Sequence, residues 1–399
     1  MPLGLYISVP FCRTKCTYCN FASDVFSRAV FQKYVDRVCD EISRADHSAE
    51  QVGGRFERTV GSIYFGGGTP TLLDVAQLER IFVNVRQNFE LRPDVEITVE
   101  CAPGTLSQDV IAALVRCGVN RVSLGAQSFV DREAASVERL HKRDVGLDDI
   151  ARLRNAGISN INVDLIAGLP HQTQESWEYS LNELIASGVP HASVYMLEVD
   201  EDSRLGRELI AGGQKYHAHF VPDDDLTADM YEVACDRLNA AGIQQYEISN
   251  FARGGFESKH NLKYWTRQPY LGFGVDAHSM LASTNVNGAV RFSNPDALEK
   301  YVAGKPPTIS LIDSDAELEE VFFLGLRLNR GVDLAQFKND FGKRATASYM
   351  ESISELVGAG LLVHENDIVR LTAPGRLLSN EVFERFISAN SGYNPAEFR

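Results

Sequence analysis

Three cysteines lie within eight residues near the start of the chain: Cys12, Cys16 and Cys19, in the run Phe11-Cys12-Arg13-Thr14-Lys15-Cys16-Thr17-Tyr18-Cys19. A closed structural zinc site takes four ligands, and a fully ligated iron–sulfur cube takes four thiolates. The plainer reading is zinc completed by a distant histidine. Such sites usually build on a second close pair of ligands, and no second pair occurs here. Three-then-two spacing instead wraps one short loop around a compact centre, as three corners of a [4Fe-4S] cluster require. The fourth iron is then open to a ligand from outside the protein.

Further groups able to do chemistry recur at regular places: Gly66-Gly67-Gly68-Thr69-Pro70, Glu100, Gln127 and Asp164. What must position them is a series of β-rich runs at residues 5–9, 62–65, 95–100, 121–124, 161–165 and 193–197. Amphipathic helical patterns separate these runs. Phe31, Tyr34, Val35, Val38 and Ile42 share one helical face, and so do Leu78, Ile81, Phe82, Val85 and Phe89. Strands alternating with helices imply a parallel sheet with right-handed crossovers. Six units fall short of the usual eight, so the expected α/β fold is a curved, partly open (β/α)6 barrel. Each polar group then sits at the C-terminal end of its strand, where parallel β/α folds bind ligands, and all converge on one mouth.

The rest of the chain reads as two further segments, giving expected units at 1–200, 201–305 and 306–399. Asp223-Asp224-Asp225 precedes a helical stretch over 226–240 and suits helix capping. From about Leu311 a helical pattern ends in two short β runs, 361–363 and 368–371, like a small winged-helix domain. Winged helices often bind DNA, but residues 310–399 carry 9 Lys and Arg against 14 Asp and Glu, which favours a packing module. The tail from Ser388 to Arg399 reads as loosely held.

Bulk properties exclude several classes. A net charge of −15 argues against a nucleic-acid partner. No apolar run is long enough to span a bilayer, although peripheral membrane contact stays open. Leu5, Ile7 and Val9 alternate like a first strand rather than a signal segment, so a soluble, cytoplasmic protein is expected. Seven cysteines fit a reducing compartment better than a disulfide framework, with Cys39, Cys101, Cys117 and Cys235 as small buried hydrophobes.

The run from Tyr6 to Cys12, the cysteine spacing, Gly66–Pro70 and Gly168-Leu169-Pro170 together resemble the radical S-adenosylmethionine superfamily. Within it the chain resembles the oxygen-independent coproporphyrinogen III oxidase family over nearly its whole length. That resemblance implies a [4Fe-4S] cluster on Cys12, Cys16 and Cys19. It also implies S-adenosylmethionine on the open iron, and reductive cleavage to a 5′-deoxyadenosyl radical. It places Gly67, Gly68 and Thr69 near the methionine ammonium group, and Arg139 at its carboxylate. Glu100, Gln127 and Asp164 fall on the ribose, the methionine end or nearby parts. Tyr6 and Tyr18 flank cluster and cofactor.

His260-Asn261-Leu262-Lys263-Tyr264-Trp265 reads on composition as a polar turn followed by two packing aromatics. It also matches the His-Asn-x-x-Tyr-Trp signature of the HemW-type subgroup, which the resemblance links to heme, with His260 as a candidate ligand. Phe21 stands where the decarboxylating oxidase carries a further cysteine. Only five residues precede Tyr6, whereas the oxidase has a longer extension. These departures favour a heme chaperone over an oxidase, with a radical methylase or heme-degrading enzyme as a further alternative. The partners implied are a heme-acceptor protein and an electron donor such as a flavodoxin or ferredoxin. His217 and His219 read as surface histidines.

Overall fold

The computed structural model describes residues 1–387 except Asp202, Gln214 and Asn287, so the tail from Ser388 onward lies outside the described residues. The six expected strands are present: β1 (Leu3–Val9), β2 (Thr59–Gly67), β3 (Glu90–Cys101), β4 (Arg121–Gln127), β5 (Asn160–Ala167) and β6 (His191–Met196). Each pairs in parallel with the next, in the order of the sequence. The helices between them follow from their apolar spacing. Phe31–Ser43 buries Phe31, Tyr34, Val35, Val38, Cys39 and Ile42 on one face. Val75–Asn88 is started by a capping box, Asp74 accepting from the Gln77 backbone while the Gln77 side chain accepts from that of Asp74. Phe89 lies one residue past that helix but is buried with its face.

The sheet is larger than six strands. Tyr270–Gly274, here β7, lies parallel beside β1 with Gly4 opposite Tyr270 and Ser8 opposite Gly274. Three antiparallel strands, His278–Ser283, Ala289–Ser293 and Thr308–Ile312, continue beyond it. Leu311, expected to open the helical region, therefore belongs to the last of these, and the helix Ser314–Gly325 follows. At the other edge Asn250–Ala252 pairs antiparallel with β6. The result is a curved, mostly parallel, partly open barrel.

Alternation along the strands decides what this barrel contains. Leu5, Ile7, Ile63, Phe65, Ile97, Val99, Val122 and Leu124 face the helices and form the main apolar core. The intervening positions face inward and are polar. The register Tyr6–Tyr64–Thr98–Arg121–Asn160 makes one rung across five strands. The next rung up includes Glu100, Ser123, Asn162 and His191. A strand with apolar residues on one side and polar on the other is expected where only one face meets a dry core.

The C-terminal region has its own apolar core of Phe322, Phe337, Ile353, Leu356 and Phe386. The hairpin Leu362–Glu365 with Ile368–Leu371 forms the wing, joined at its edge by Val332–Asp333. The long helical stretch Leu334–Gly358 breaks at Gly342, which adopts a φ of 89°. This smaller domain is mostly helical and winged-helix-like, as the sequence suggested. Buried Glu320 ties it to the barrel sheet, with carboxylate oxygens 2.8 Å from Arg267 Nε and 3.0 Å from Arg291 Nη1.

Candidate functional site

The loop after β1 carries the three cysteines, and backbone hydrogen bonds fix its path. Cys12 N–H donates to Asp24 O at 2.9 Å, and Asp24 N–H donates back to Pro10 O at 2.9 Å. The glycine run after β2 is laced to the same loop: Gly68 N–H donates to Val9 O and Thr69 N–H to Phe11 O, each at 2.7 Å. A Cβ on Gly68 would lie 2.6 Å from Phe11 O and 2.8 Å from Val9 O. Gly67 has a φ of +95°. Close approach by the chain's own backbone is therefore reason enough for these glycines. On the far side Thr14 Oγ1 donates to Glu138 O at 3.1 Å, and Leu205 N–H donates to Thr17 O at 2.9 Å.

Cys16 is buried, Cys12 and Cys19 are half-buried, and all three are free thiols. Burial raises the Cys12 and Cys19 pKa values. Among the described residues no three His, Cys, Asp or Glu side chains converge tightly enough for a single metal ion. Arg139, from the loop after β4, reaches over the cysteines with Nη2 donating to Tyr18 Oη at 3.3 Å. Burial pulls its pKa down, but Tyr18, Cys16 and Cys12 together hold it above the ordinary value.

Inside the mouth, Glu100 accepts from Tyr64 Oη at 2.7 Å. Burial, opposed by the Tyr64 bond and reinforced by the Asp164 charge, pushes the Glu100 pKa up to about 7. Asp164 accepts from Asn162 Nδ2 at 2.6 Å and from Ser123 Oγ, and burial raises its pKa too. Gln127 ends β4 with a positive φ of 66°. Three buried polar atoms of this mouth have no hydrogen-bond partner: Thr17 Oγ1, Gln127 Oε1 and Arg139 Nε. Buried polar groups are nearly always satisfied, so orphans gathered at one mouth fit a polar ligand seated among them. By the same measure, these residues fit a cluster with S-adenosylmethionine.

His260 is elsewhere. The helix Lys259–Trp265 closes the floor of the barrel, at the opposite end from the cysteines, and His260 is 1% exposed. Its Nδ1 pairs with Ser62 Oγ at 3.0 Å and its Nε2 with Tyr264 Oη at 2.9 Å. The Tyr6 and Tyr64 rings lie against the imidazole. Burial holds its pKa down at about 3. As placed, both ring nitrogens are engaged. Trp265 turns the other way, into the C-terminal core, with the Arg327 guanidinium 4.4 Å from its ring centroid.

Comparison with known proteins agrees with this architecture. The Radical SAM superfamily profile matches residues 6–184, and the HemN C-terminal domain profile matches residues 312–378. The fold is similar to that of coproporphyrinogen III oxidase (HemN) from Escherichia coli, with TM-score 0.80 and 24% identity, covering 96% of this chain and 90% of that one. Among curated proteins, "Heme chaperone HemW" of Lactococcus lactis is 33% identical over 97% of this chain and 97% of its own length. The protein of the same name from Bacillus subtilis is 33% identical over 96% and 98%. The chain belongs to the HemW family.

For this HemW family member, the structure brings Cys12, Cys16, Cys19, Tyr18, Gly67, Gly68, Thr69 and Arg139 around one mouth. Glu100, Gln127 and Asp164 line its inner side. Tyr6 lies deeper, in a cluster of rings with Tyr64 and His260. Phe21 is 62% exposed beside the cysteine loop. His217 is joined to His171, Nδ1 to Nε2 at 3.3 Å, at the edge of the mouth. Sequence reasoning missed Tyr64, the direct partner of Glu100, and Arg121. The signal was available in β4, where Arg121, Ser123, Gly125 and Gln127 alternate with Val122, Leu124 and Ala126. Among the described residues, no helix is long and apolar enough to cross a membrane.

Proposed function

We propose that this protein binds heme and passes it to an acceptor protein. On this reading Cys12, Cys16 and Cys19 hold a [4Fe-4S] cluster whose open iron takes exchangeable S-adenosylmethionine. The observation that carries the reading is near full-length similarity to curated heme chaperones of the HemW family. The bound cluster and cofactor would supply one-electron cleavage of a carbon–sulfur bond. The chain's own residues bind and orient. Arg139, a planar fork beside Tyr18, suits the cofactor carboxylate, while its charge offsets the thiolates. Glu100, Gln127 and Asp164 offer acceptors to the ammonium and ribose groups, and the laced loops after β1 and β2 exclude water. His260 would reach heme iron only by releasing Ser62 or Tyr264, so ligation by it would couple heme capture to opening of the barrel floor. The setting proposed is the cytoplasm, with a small redox protein as electron donor.

The test is anaerobic reconstitution followed by iron and sulfide analysis, heme titration, and a coproporphyrinogen III assay with S-adenosylmethionine and reductant. Cluster and heme should bind, and no protoporphyrinogen IX should form. Clear turnover would overturn the chaperone reading in favour of an oxidase. Methylated or ring-opened products would favour a methylase or a heme-degrading enzyme.

A further inference from the structure

Arg121 is a charged residue for which neither the cluster nor heme accounts. It opens β4 and points into the barrel, 2% exposed. Among the described residues its guanidinium has no hydrogen-bond acceptor and no ion-pair partner, and its Nε is fully buried. Its register neighbours on the flanking strands are Thr98 and Asn160. Thr98 Oγ1 and Asn160 Oδ1 are themselves buried without partners. A guanidinium is too costly to bury unless opposite charge compensates it.

Carboxylates lie on the rungs both below and above it: Glu96, which accepts from His260 N–H at 3.2 Å, and Glu100. Thr98 stands opposite Arg121 and Glu100 opposite Ser123, so Arg121 and Glu100 are diagonal neighbours on adjacent strands, within reach of a long side chain. Asp164 lies higher on β5. Glu100 and Asp164 are bonded to neutral donors: Glu100 to the Tyr64 hydroxyl and the Gly67 backbone, and Asp164 to Asn162, Ser123 and Ser193. With Glu96 at the floor, the lumen thus holds more carboxylates than guanidinium groups. A positively charged ligand would offset that excess of carboxylate.

We propose that Arg121 is a positioning residue that favours the charged forms of Glu100 and Asp164 from below, and thereby helps set the pH range over which the mouth binds its cationic cofactor. This rests on the cofactor reading given above. The groups facing Glu100 are Tyr6 from β1, Tyr64 from β2, Arg121 from β4, Asp164 from β5, Tyr195 from β6, and His260 and Tyr264 from the floor helix. The tyrosines are held neutral by burial, and so is His260. Arg121 is therefore the cation among them, and its charge acts to lower the pKa of both acids.

Two measurements decide this. The first uses protein carrying neither cluster nor cofactor: infrared titration of the protonated-carboxyl band that disappears in Glu100→Gln. Arg121→Met should move that band's midpoint up, and Arg121→Lys should leave it near the wild-type position. An unmoved midpoint in Arg121→Met overturns the proposal. The second is S-adenosylmethionine affinity of cluster-loaded protein across pH. With a midpoint one unit higher, Arg121→Met should bind roughly fivefold more weakly than wild type at pH 7 and nearly equally at pH 9. A deficit of the same size at every pH means Arg121 is merely structural, which also overturns it. If loaded wild type binds no S-adenosylmethionine, the cofactor reading fails, while the infrared titration still decides the role of Arg121.

Discussion

His260 should make the protein acid-labile in a way that one substitution can isolate. Its imidazole is buried with its pKa held at about 3, against an ordinary value of 6.5. Below pH 6.5 the unfolded chain takes up a proton that the folded chain refuses, so this group's contribution is complete above 6.5 and is lost as pH falls toward 3. Each pH unit in that window costs about 1.4 kcal/mol, so the loss at pH 5 is about 2 kcal/mol. His260→Gln cannot titrate. It should be less stable than wild type at pH 7.5, by about 1–3 kcal/mol, because Ser62 and Tyr264 lose a fitted partner. Its further loss between pH 7.5 and pH 5 should be smaller than that of wild type by about 2 kcal/mol. Denaturant unfolding at matched pH values reads both numbers. Other buried titrating groups, His191 and Glu100 among them, are common to both proteins and cancel in the difference. Equal pH slopes for the two proteins would refute the burial argument, and would instead suit a histidine that is solvated and free to ligate iron.

Three further outcomes follow from the geometry. Gly68→Ala puts a methyl group against two carbonyl oxygens of the cysteine loop, so stability should fall by about 2–4 kcal/mol and iron incorporation should fall with it. Full iron content at unchanged stability would show that the two loops are not coupled. Tyr64→Phe removes the hydroxyl that favours the charged form of Glu100, so the carboxyl midpoint should rise above its value of about 7, read by the same infrared band. Glu320→Gln leaves Arg267 and Arg291 short of a buried counter-charge, and unfolding should show a loss of about 3–5 kcal/mol.

How far the sequence could be read depended on how local the cause was. The six strands were visible because each combines a β-rich run with turn residues nearby. The mouth was visible because Cys12, Gly66, Glu100, Gln127 and Asp164 fall at the same phase of successive units. β7 was not, because Tyr-Leu-Gly-Phe-Gly holds two glycines in five residues, which weakens the strand signal. Those glycines are needed because a Cβ at Gly272 would lie 2.2 Å from His278 O, and one at Gly274 would lie 2.3 Å from Ser8 O. Arg139 entered only through resemblance, since it lies on a loop with no periodic pattern. The burial of His260 depends on Ser62, Tyr64 and Tyr6, all far away in the sequence, and nothing in the motif itself announces them.

The pairing of β7 with β1 has a consequence for how the chain is made. The partner for one edge of β1 leaves the ribosome about 260 residues after β1 itself. At roughly 5–20 residues per second, that edge waits on the order of 13–50 s with its backbone donors and acceptors unpaired. During this interval the nascent barrel offers a template for unrelated strands to add to. The cysteine loop hangs from the same strand. Metal loading during synthesis would therefore act on a half-finished sheet, and slowing translation between β6 and β7 should raise misassembly more than a pause of equal length after residue 280.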